Sequence, residues 1–406
     1  MKSTLRDAIQ IGFILIVTTH IPAMQLSAQD IELTGYLAVE SRLFPQSPLL
    51  QEQFSGGGLS FSAQPELYKE WAGGDQSLLF VPYLRVDQHD GNRTHGDIRE
   101  LYWQVVADTW ELSIGVRKIF WGVTESQHLV DIINQTDLVE NLDTEDKLGQ
   151  PMANLTLVRN WGTLDIFLMP YFRERRFLHQ EARLRLPVFV DSDHPRYESD
   201  RKQWHFDWAV RGFRTMGIFD IGLSHFSGTS RDPVLLPGLT ASGDLFLTPF
   251  YHTINQTGLD VQATTGAWLL KLEAINRFGQ GKRFLAAAGG FEYTFSNIKS
   301  SGLDLGVLLE YHYDERGEEA SSPFDDDLFF GTRLAFNDVQ STDILAGAIV
   351  DRHTGSMFLN VEASRRIGDR YRIEVEVRSF LNASRRDLLY GLRKDHYLQV
   401  EVSRFF

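Results

Sequence analysis

The sequence predicts an all-β protein: a transmembrane antiparallel β-barrel of about 18 strands (range 16–18), with short turns at one rim and long loops at the other. Three observations carry that expectation. Apolar and charged residues alternate with period two, tight and long connections alternate along the chain, and no run after residue 30 approaches the roughly 20 apolar residues that a membrane-crossing helix needs. The composition agrees. With 43% hydrophobic and 12% aromatic residues among 406, the chain is too apolar to be disordered. It has no cysteine, which excludes disulfides, thiolate metal sites, iron–sulfur clusters and a cysteine nucleophile. Forty Lys+Arg against 54 Asp+Glu give a net charge of −14, which argues against nucleic acid as a partner.

The first element is an address. Lys2 and Arg6 precede a short apolar core, Ile11–Val17, and Leu26-Ser27-Ala28 offers a cleavage site ahead of Gln29. Residues 1–28 are therefore expected to be a cleaved signal peptide, leaving residues 29–406 as a single barrel domain.

The alternation is cleanest at the far end, where Tyr371, Ile373, Val375 and Val377 interleave with Arg372, Glu374, Glu376 and Arg378. An extended strand sends successive side chains to opposite faces, so one face here is apolar and the other charged. Leu303, Leu305, Val307, Leu309 and Tyr311 repeat the pattern against Asp304, Gly306, Glu310 and His312. In order, the predicted strands are 31–44, 57–68, 76–87, 97–108, 110–121, 151–160, 162–175, 203–214, 217–227, 249–265, 266–278, 284–296, 302–314, 327–338, 340–352, 355–367, 370–381 and 395–406. Connections after even-numbered strands are mostly tight: Asp108-Thr109, Trp161, Thr215-Met216, Asn297–Ser301 and Gly368-Asp369. Those after odd-numbered strands are mostly long: Pro45–Gly56, Gly122–Gln150, Arg176–Lys202, Gly228–Thr248, Glu315–Asp326 and Asn382–Lys394. Membrane barrels are built this way, with the short turns periplasmic. No fixed repeat of the propeller or β-helix kind occurs, and a soluble sandwich would need an apolar inner face.

The last strand alternates Leu398, Val400 and Val402 with Gln399, Glu401 and Ser403, and the chain stops at Phe406. This resembles the C-terminal signature of bacterial outer-membrane barrels, read by the barrel-assembly machinery. Arg404 departs from it, since an apolar residue or Tyr usually stands there. The stretch Gly115-Val116-Arg117-Lys118-Ile119-Phe120-Trp121-Gly122, followed by Asp131-Ile132-Ile133-Asn134 and Asp137, is similar to strand ends in large porin-like families of Gram-negative bacteria. The resemblance spans about 25 of the 406 residues and implies a kind of barrel without a substrate.

Charges facing lipid cost about 2–4 kcal/mol each for Lys or Arg, so the charged faces are expected to line the lumen. The expected lining is Arg85, Glu100, Glu111, Arg117, Asp207, Arg211, Lys271, Glu273, Glu310, Glu362, Arg366, Arg372, Glu374, Glu376, Arg378 and Glu401. Between the fifth and sixth strands, Glu125, Asp131, Asp137, Glu140, Asp143, Glu145 and Asp146 face a single Lys147. That loop is the candidate constriction, an acidic eyelet repelling anions, with a solvated surface loop as the alternative. Arg173-Glu174-Arg175-Arg176 could grip lipopolysaccharide phosphates or form a polar rim. Asp325-Asp326-Asp327 could hold a divalent ion bridging lipids, with a solvated acidic loop as the favoured alternative, and His89 with His95 offers too few ligands to argue for metal. His225 and Ser227 lie too far apart on one strand for a nucleophile and its base, and no Gly-x-Ser-x-Gly elbow occurs.

The chain is thus expected to be a porin or channel for passive passage of small solutes in the outer membrane, with an export or lipid- and hydrophobic-compound-trafficking barrel as the alternative. No catalytic residue, cofactor or metal is expected. Partners would be outer-membrane lipid and lipopolysaccharide, the assembly machinery and a small-molecule solute; the oligomeric state stays open.

Overall fold

In the computed structural model, residues 31–406 are described; the predicted signal peptide lies outside them. The first seven strands are β1 (Ile31–Leu43), β2 (Gly57–Trp71), β3 (Gln76–Asp87), β4 (His95–Ala107), β5 (Trp110–Arg117), β6 (Gln150–Arg159) and β7 (Gly162–Met169). The short β8 (Phe189–Val190) and β9 (Arg196–Tyr197) precede β10 (Asp207–Met216) and β11 (Phe219–Thr229). A hairpin follows, β12 (Val234–Leu239) and β13 (Leu245–Tyr251), and then β14 (Thr253–Thr265), β15 (Trp268–Gly279), β16 (Gly281–Phe295) and β17 (Asp304–Asp314). The chain ends with β18 (Asp326–Ala335), β19 (Asp343–Asp351), β20 (Met357–Ile367), β21 (Tyr371–Leu381) and β22 (Tyr397–Phe405).

Eighteen of these strands form one antiparallel sheet, each paired with its neighbours in sequence; β8, β9, β12 and β13 make a small separate sheet among the long loops. The sheet closes where β1 pairs with β22, Tyr36 opposite Phe405 and Leu43 opposite Leu398. Closure satisfies every strand edge, as a bilayer requires. Each predicted strand corresponds to one barrel strand.

The differences lie at the loop rim and have local causes. The strand expected over 110–121 stops at Arg117, because Asn134 and Asp131 capture the amides of Ile119 (2.9 Å) and Trp121 (3.3 Å) and draw them out of the ladder. The strand expected over 162–175 stops at Met169, where Pro170 has no N–H to donate. Residues expected to begin the strand over 249–265 instead belong to β13, which pairs with β12 away from the wall.

The outer face carries the apolar half of the alternation. Leu33, Ile114, Leu168, Leu223, Leu270 and Leu398 are exposed on it. Trp71, Trp110, Trp161 and Trp268 mark the turn rim, and Trp208, Phe278 and Tyr313 mark the loop rim. Two such aromatic girdles are what the headgroup levels of a bilayer select. His225 stands on this face beside Trp208, bonded to Thr257 (3.0 Å), and Ser227 pairs with Trp208, so both belong to the girdle.

The inner face departs from the sequence expectation. Toward the loop rim, the wall from β6 to β16 turns apolar side chains inward: Met152, Phe167, Met169, Ala209, Phe226, Ile254, Ile275 and Phe284 are all buried. Something must cover them, and it comes from the loop between β5 and β6.

Candidate functional site

Residues 118–149 leave the wall after β5 and fold into the lumen. Trp121, Val130, Ile132 and Ile133 of this segment are almost completely buried against the apolar half-wall. Each such side chain contributes about 1.5–3 kcal/mol of transfer free energy. The segment then crosses the barrel like a chord, held at both ends by polar side chains of the wall.

At one end Glu273 of β15 accepts from the backbone amides of Val123 (2.7 Å), Thr124 (3.0 Å) and Val130 (3.1 Å) and from the Thr124 hydroxyl (2.7 Å). Glu310 of β17 accepts from the amides of Glu125 (2.7 Å) and Ser126 (3.0 Å), while the Ser126 hydroxyl also meets His312 (2.7 Å). At the other end Arg42 of β1 donates to the Glu140 carbonyl (2.8 Å), Tyr83 and Arg85 of β3 hold its carboxylate (2.8 Å each), and Arg99 of β4 grips Asp137 (2.6 Å). Arg378 of β21 reaches Asn141 and Asp143 (2.8 Å each).

The expected acidic eyelet is corrected by these pairings. Glu125 meets Arg333 (2.7 Å) and Lys271 (3.4 Å), Asp131 meets Lys147 (3.0 Å), and Glu145 meets His128 (2.9 Å). With Asp137, Glu140 and Asp143 on wall arginines, the acids serve as tethers rather than as a free ring of charge. Asp146 is the exception: it makes no ion pair among the described residues and stays exposed at the surface of the segment, where crowding by the segment and by Asp143 and Glu140 raises its carboxyl. At Asp131 burial outweighs Lys147 and raises the carboxyl. Burial works against a charged His128, yet the nearby carboxylates of Glu145 (2.9 Å) and Glu273 (3.7 Å) prevail and lift it to about 10.

The other predicted lining residues share the lumen face, as the register requires: Arg366 opposite Arg372, Glu362 opposite Glu376, and Glu374 opposite Glu401, itself opposite Glu40. Arg117 bonds Asn154 (2.9 Å) and Glu111 accepts from Gln104 (3.3 Å), while Glu100 caps the amide of Lys118 (3.3 Å). Arg211 pairs with Asp260 and Asp207 with Arg231 (2.7 Å each). Sequence reasoning missed Glu40, Arg42, Arg93, Arg99 and His128, although Glu40 and Arg42 already share a parity on the first strand. The arginine run after β7 also points elsewhere than lipid: Arg173 turns in to Asp97 (2.7 Å) and Arg175 to Asp232 (2.8 Å). In the acidic run, Asp326 pairs with Arg352 (2.7 Å) and His353 (3.0 Å).

Between the two anchorages, a space separates the segment from the wall of β18 to β20. A cavity of about 1360 Å³ opens from the loop rim down this side, bounded by Glu125–His128 and Leu142–Glu145 of the segment and by Phe329, Leu345, Gly347, Phe358 and Glu362 of the wall. Its charged lining is nearly balanced, nine acidic residues against nine Lys and Arg with His128, and the rest is mostly apolar. Phe324, Phe358 and Phe380 form an arc at its mouth, with ring centres 6.3 and 5.5 Å apart. Phe329 lies flat because Gly331 and Gly347 leave room for its ring. A Cβ on Gly347 would sit 2.3 Å from it and one on Gly331 2.7 Å.

No protein-family model and no curated protein matches the sequence. Solved structures do match in fold. A BenF-like porin from Pseudomonas fluorescens Pf-5 superposes with a TM-score of 0.53 over 93% of this chain and 97% of that one, at 10% identity. A double mutant of Rh. blastica porin covers 93% and 100% at a TM-score of 0.45 and 10% identity. The fold is a porin-like closed barrel.

Proposed function

We propose that this chain is an outer-membrane channel for passive passage of small solutes, with its loop rim outside, its turn rim in the periplasm and its aperture set by residues 118–149. One observation carries the reading: the segment lies in the lumen yet leaves a cavity of about 1360 Å³ beside it, lined by residues of β18, β19 and β20. Size exclusion would come from the gap between Leu142–Glu145 and the wall. The balanced lining implies weak ion selectivity, tipped toward cations by the half-exposed Glu145 and Glu362. The fold likeness supports a channel and carries no solute with it. Phe406, exposed and bonded through its amide to Gly35, would serve as the assembly signal, and outer-membrane lipid and lipopolysaccharide as surroundings. No residue is assigned a catalytic role.

The apolar arc of Phe324, Phe358 and Phe380 favours a second reading, in which hydrophobic compounds are carried with little ion current. Single-channel recording of the refolded barrel under a salt gradient separates the two. Stable steps with a slight cation preference, enlarged by deleting 125–147, fit the channel. Silence from a folded, heat-modifiable sample would refute it and leave the second reading.

A further inference from the structure

The anchorage of the inserted segment on β4 contains three side chains whose arrangement is not explained by the bonds they make. His95 stands at the start of β4 and uses its Nδ1 on the backbone carbonyl of Arg93 (3.0 Å). A carbonyl only accepts, so Nδ1 carries the proton and, in the neutral ring, Nε2 presents a lone pair. That lone pair faces Glu140 Oε1 at 3.4 Å, and one oxygen of Asp137 completes a group whose atoms all lie within 4.8 Å of one another.

Each carboxylate is held by its other oxygen. Asp137 Oδ2 accepts from Arg99 (2.6 Å), and Glu140 Oε2 accepts from Tyr83 and Arg85 (2.8 Å each). The inward atoms, Asp137 Oδ1, Glu140 Oε1 and His95 Nε2, are buried without a hydrogen-bond partner, and Asp137 is 0% and Glu140 5% exposed. Three acceptors within 4.8 Å of one another repel one another, a repulsion that a cation between them would relieve. A proton on Nε2 would be a poor answer, because 3.4 Å is beyond the 2.7–3.2 Å of an N–H···O bond. Nitrogen and oxygen ligands bound at ~2.0–2.2 Å to one tetrahedral ion are about 3.3–3.5 Å apart, which is the His95–Glu140 spacing, and Asp137 lies within 4.8 Å of both.

We propose that His95, Asp137 and Glu140 form a site for a divalent transition metal of the zinc class, with a fourth position open to water. Donor chemistry suits it: one imidazole nitrogen and two carboxylate oxygens, the imidazole oriented by a backbone carbonyl and the carboxylates by arginine and tyrosine, as outer partners orient metal ligands elsewhere. Arg99 Nη2 lies 3.5 Å from Glu140 Oε1, and Asp97 (3.4 Å from Arg99) offsets its charge. Thr136 and Leu138, which flank Asp137, line the large cavity, so the site lies one residue behind its surface. Two ligands belong to the inserted segment and one to the wall, so the ion ties residues 137–140 to β4.

The test uses the full refolded chain in detergent, stripped with chelator, with Zn²⁺ titrated calorimetrically and Co²⁺ by visible absorption. One saturable equivalent per chain, with the intense visible bands of four-coordinate cobalt, is expected. Both should vanish in His95→Gln and persist in His225→Gln, with heat-modifiability intact in each. Absence of a saturable equivalent, or binding that survives His95→Gln, overturns the proposal and leaves an imidazolium in the gap. Should His95→Gln fail to fold, X-ray absorption of the zinc-loaded native chain decides: one imidazole among oxygens supports the site, oxygens alone refute it. Metal binding is read without any current, so its failure is separate from failure of the channel reading.

Discussion

Replacing Glu273 with alanine removes the acceptor on which the first turn of the inserted segment hangs. The carboxylate takes three backbone amides and one hydroxyl at 2.7–3.1 Å, all inside the barrel and away from bulk water. Hydrogen bonds to a charged acceptor are worth about 1.5–3 kcal/mol each, which would sum to about 6–12 kcal/mol if they were independent. They are not, because the donors share one short stretch of chain and water can enter to replace part of the loss. Removing one partner of a buried charged cluster costs about 3–5 kcal/mol in practice, and that is the loss expected for docking of residues 122–130. His128 loses a neighbouring carboxylate as well. The apolar burial of Val130, Ile132 and Ile133 keeps the base of the segment in place, so the tip alone should loosen. Single-channel recording should then show larger and noisier steps, with Glu273→Gln intermediate because one amide oxygen still accepts. Steps of native size and native noise from a folded Glu273→Ala barrel would show that this carboxylate does not hold the segment.

Three other substitutions probe separate parts of the architecture. Gly347→Ala places a methyl 2.3 Å from the Phe329 ring, which must swing off the wall into the side cavity; smaller steps with unchanged heat-modifiability are expected, and native steps would refute the assigned path. Asp146, solvent-exposed beside Asp143 and Glu140, has its carboxyl raised to about 7, so the stability linked to its protonated form is whole at low pH and is lost as pH rises through 7, with solvent screening keeping the effect small. Asp146→Asn should remove that slope, seen as protease resistance of 118–149 that no longer declines between pH 4 and 7. Arg183, fully buried, bonds Asp395 (2.7 Å) and lies over the Phe44 ring (4.6 Å), joining the loops after β7, β21 and β1. Arg183→Leu leaves the Asp395 carboxylate buried and unpaired, costing about 3–5 kcal/mol and speeding cleavage within 170–206, while the double change with Asp395→Leu should cost much less.

The barrel was legible because lipid imposes a simple rule. A residue such as Val375 that faces hydrocarbon and a neighbour such as Glu376 that does not are chemically opposite, so strand positions show in the alternation. The interior obeys no such rule. Phe167 and Met169 face inward beside the outward Leu168, and Leu308 beside Leu309, so these strands read as apolar on both faces. The sign of an inner covering was present in Val130, Ile132 and Ile133, an apolar run inside an acid-rich loop. Nor could spacing pair the acids: Asp137 and Arg99 are 38 positions apart, and Glu273 is about 150 from the amides it holds. Arg99 in particular occupies the extra position of a bulge between β3 and β4, so counting from neighbouring strands misplaces it.

The chord across the lumen has a consequence for how the molecule comes together. Its supports are drawn from β1, β3 and β4 near one end of the chain, from β15 and β17 in the middle, and from β21 near the other. Residues 118–149 are synthesised long before β21 exists, and their last tie has to wait for it. Until then Ile132, Ile133 and the inward Phe226 and Ile254 need cover while the sheet is still an open ribbon with two bare edges. Segment and half-wall can meet early, since that packing draws on β6 to β16 alone, and the ribbon can then curl around a nucleus that already resembles the centre of a water-soluble domain. Assembly of this barrel would accordingly be paced by an event in its interior, and a change at Ile133 should slow membrane insertion while leaving the lipid-facing surface untouched.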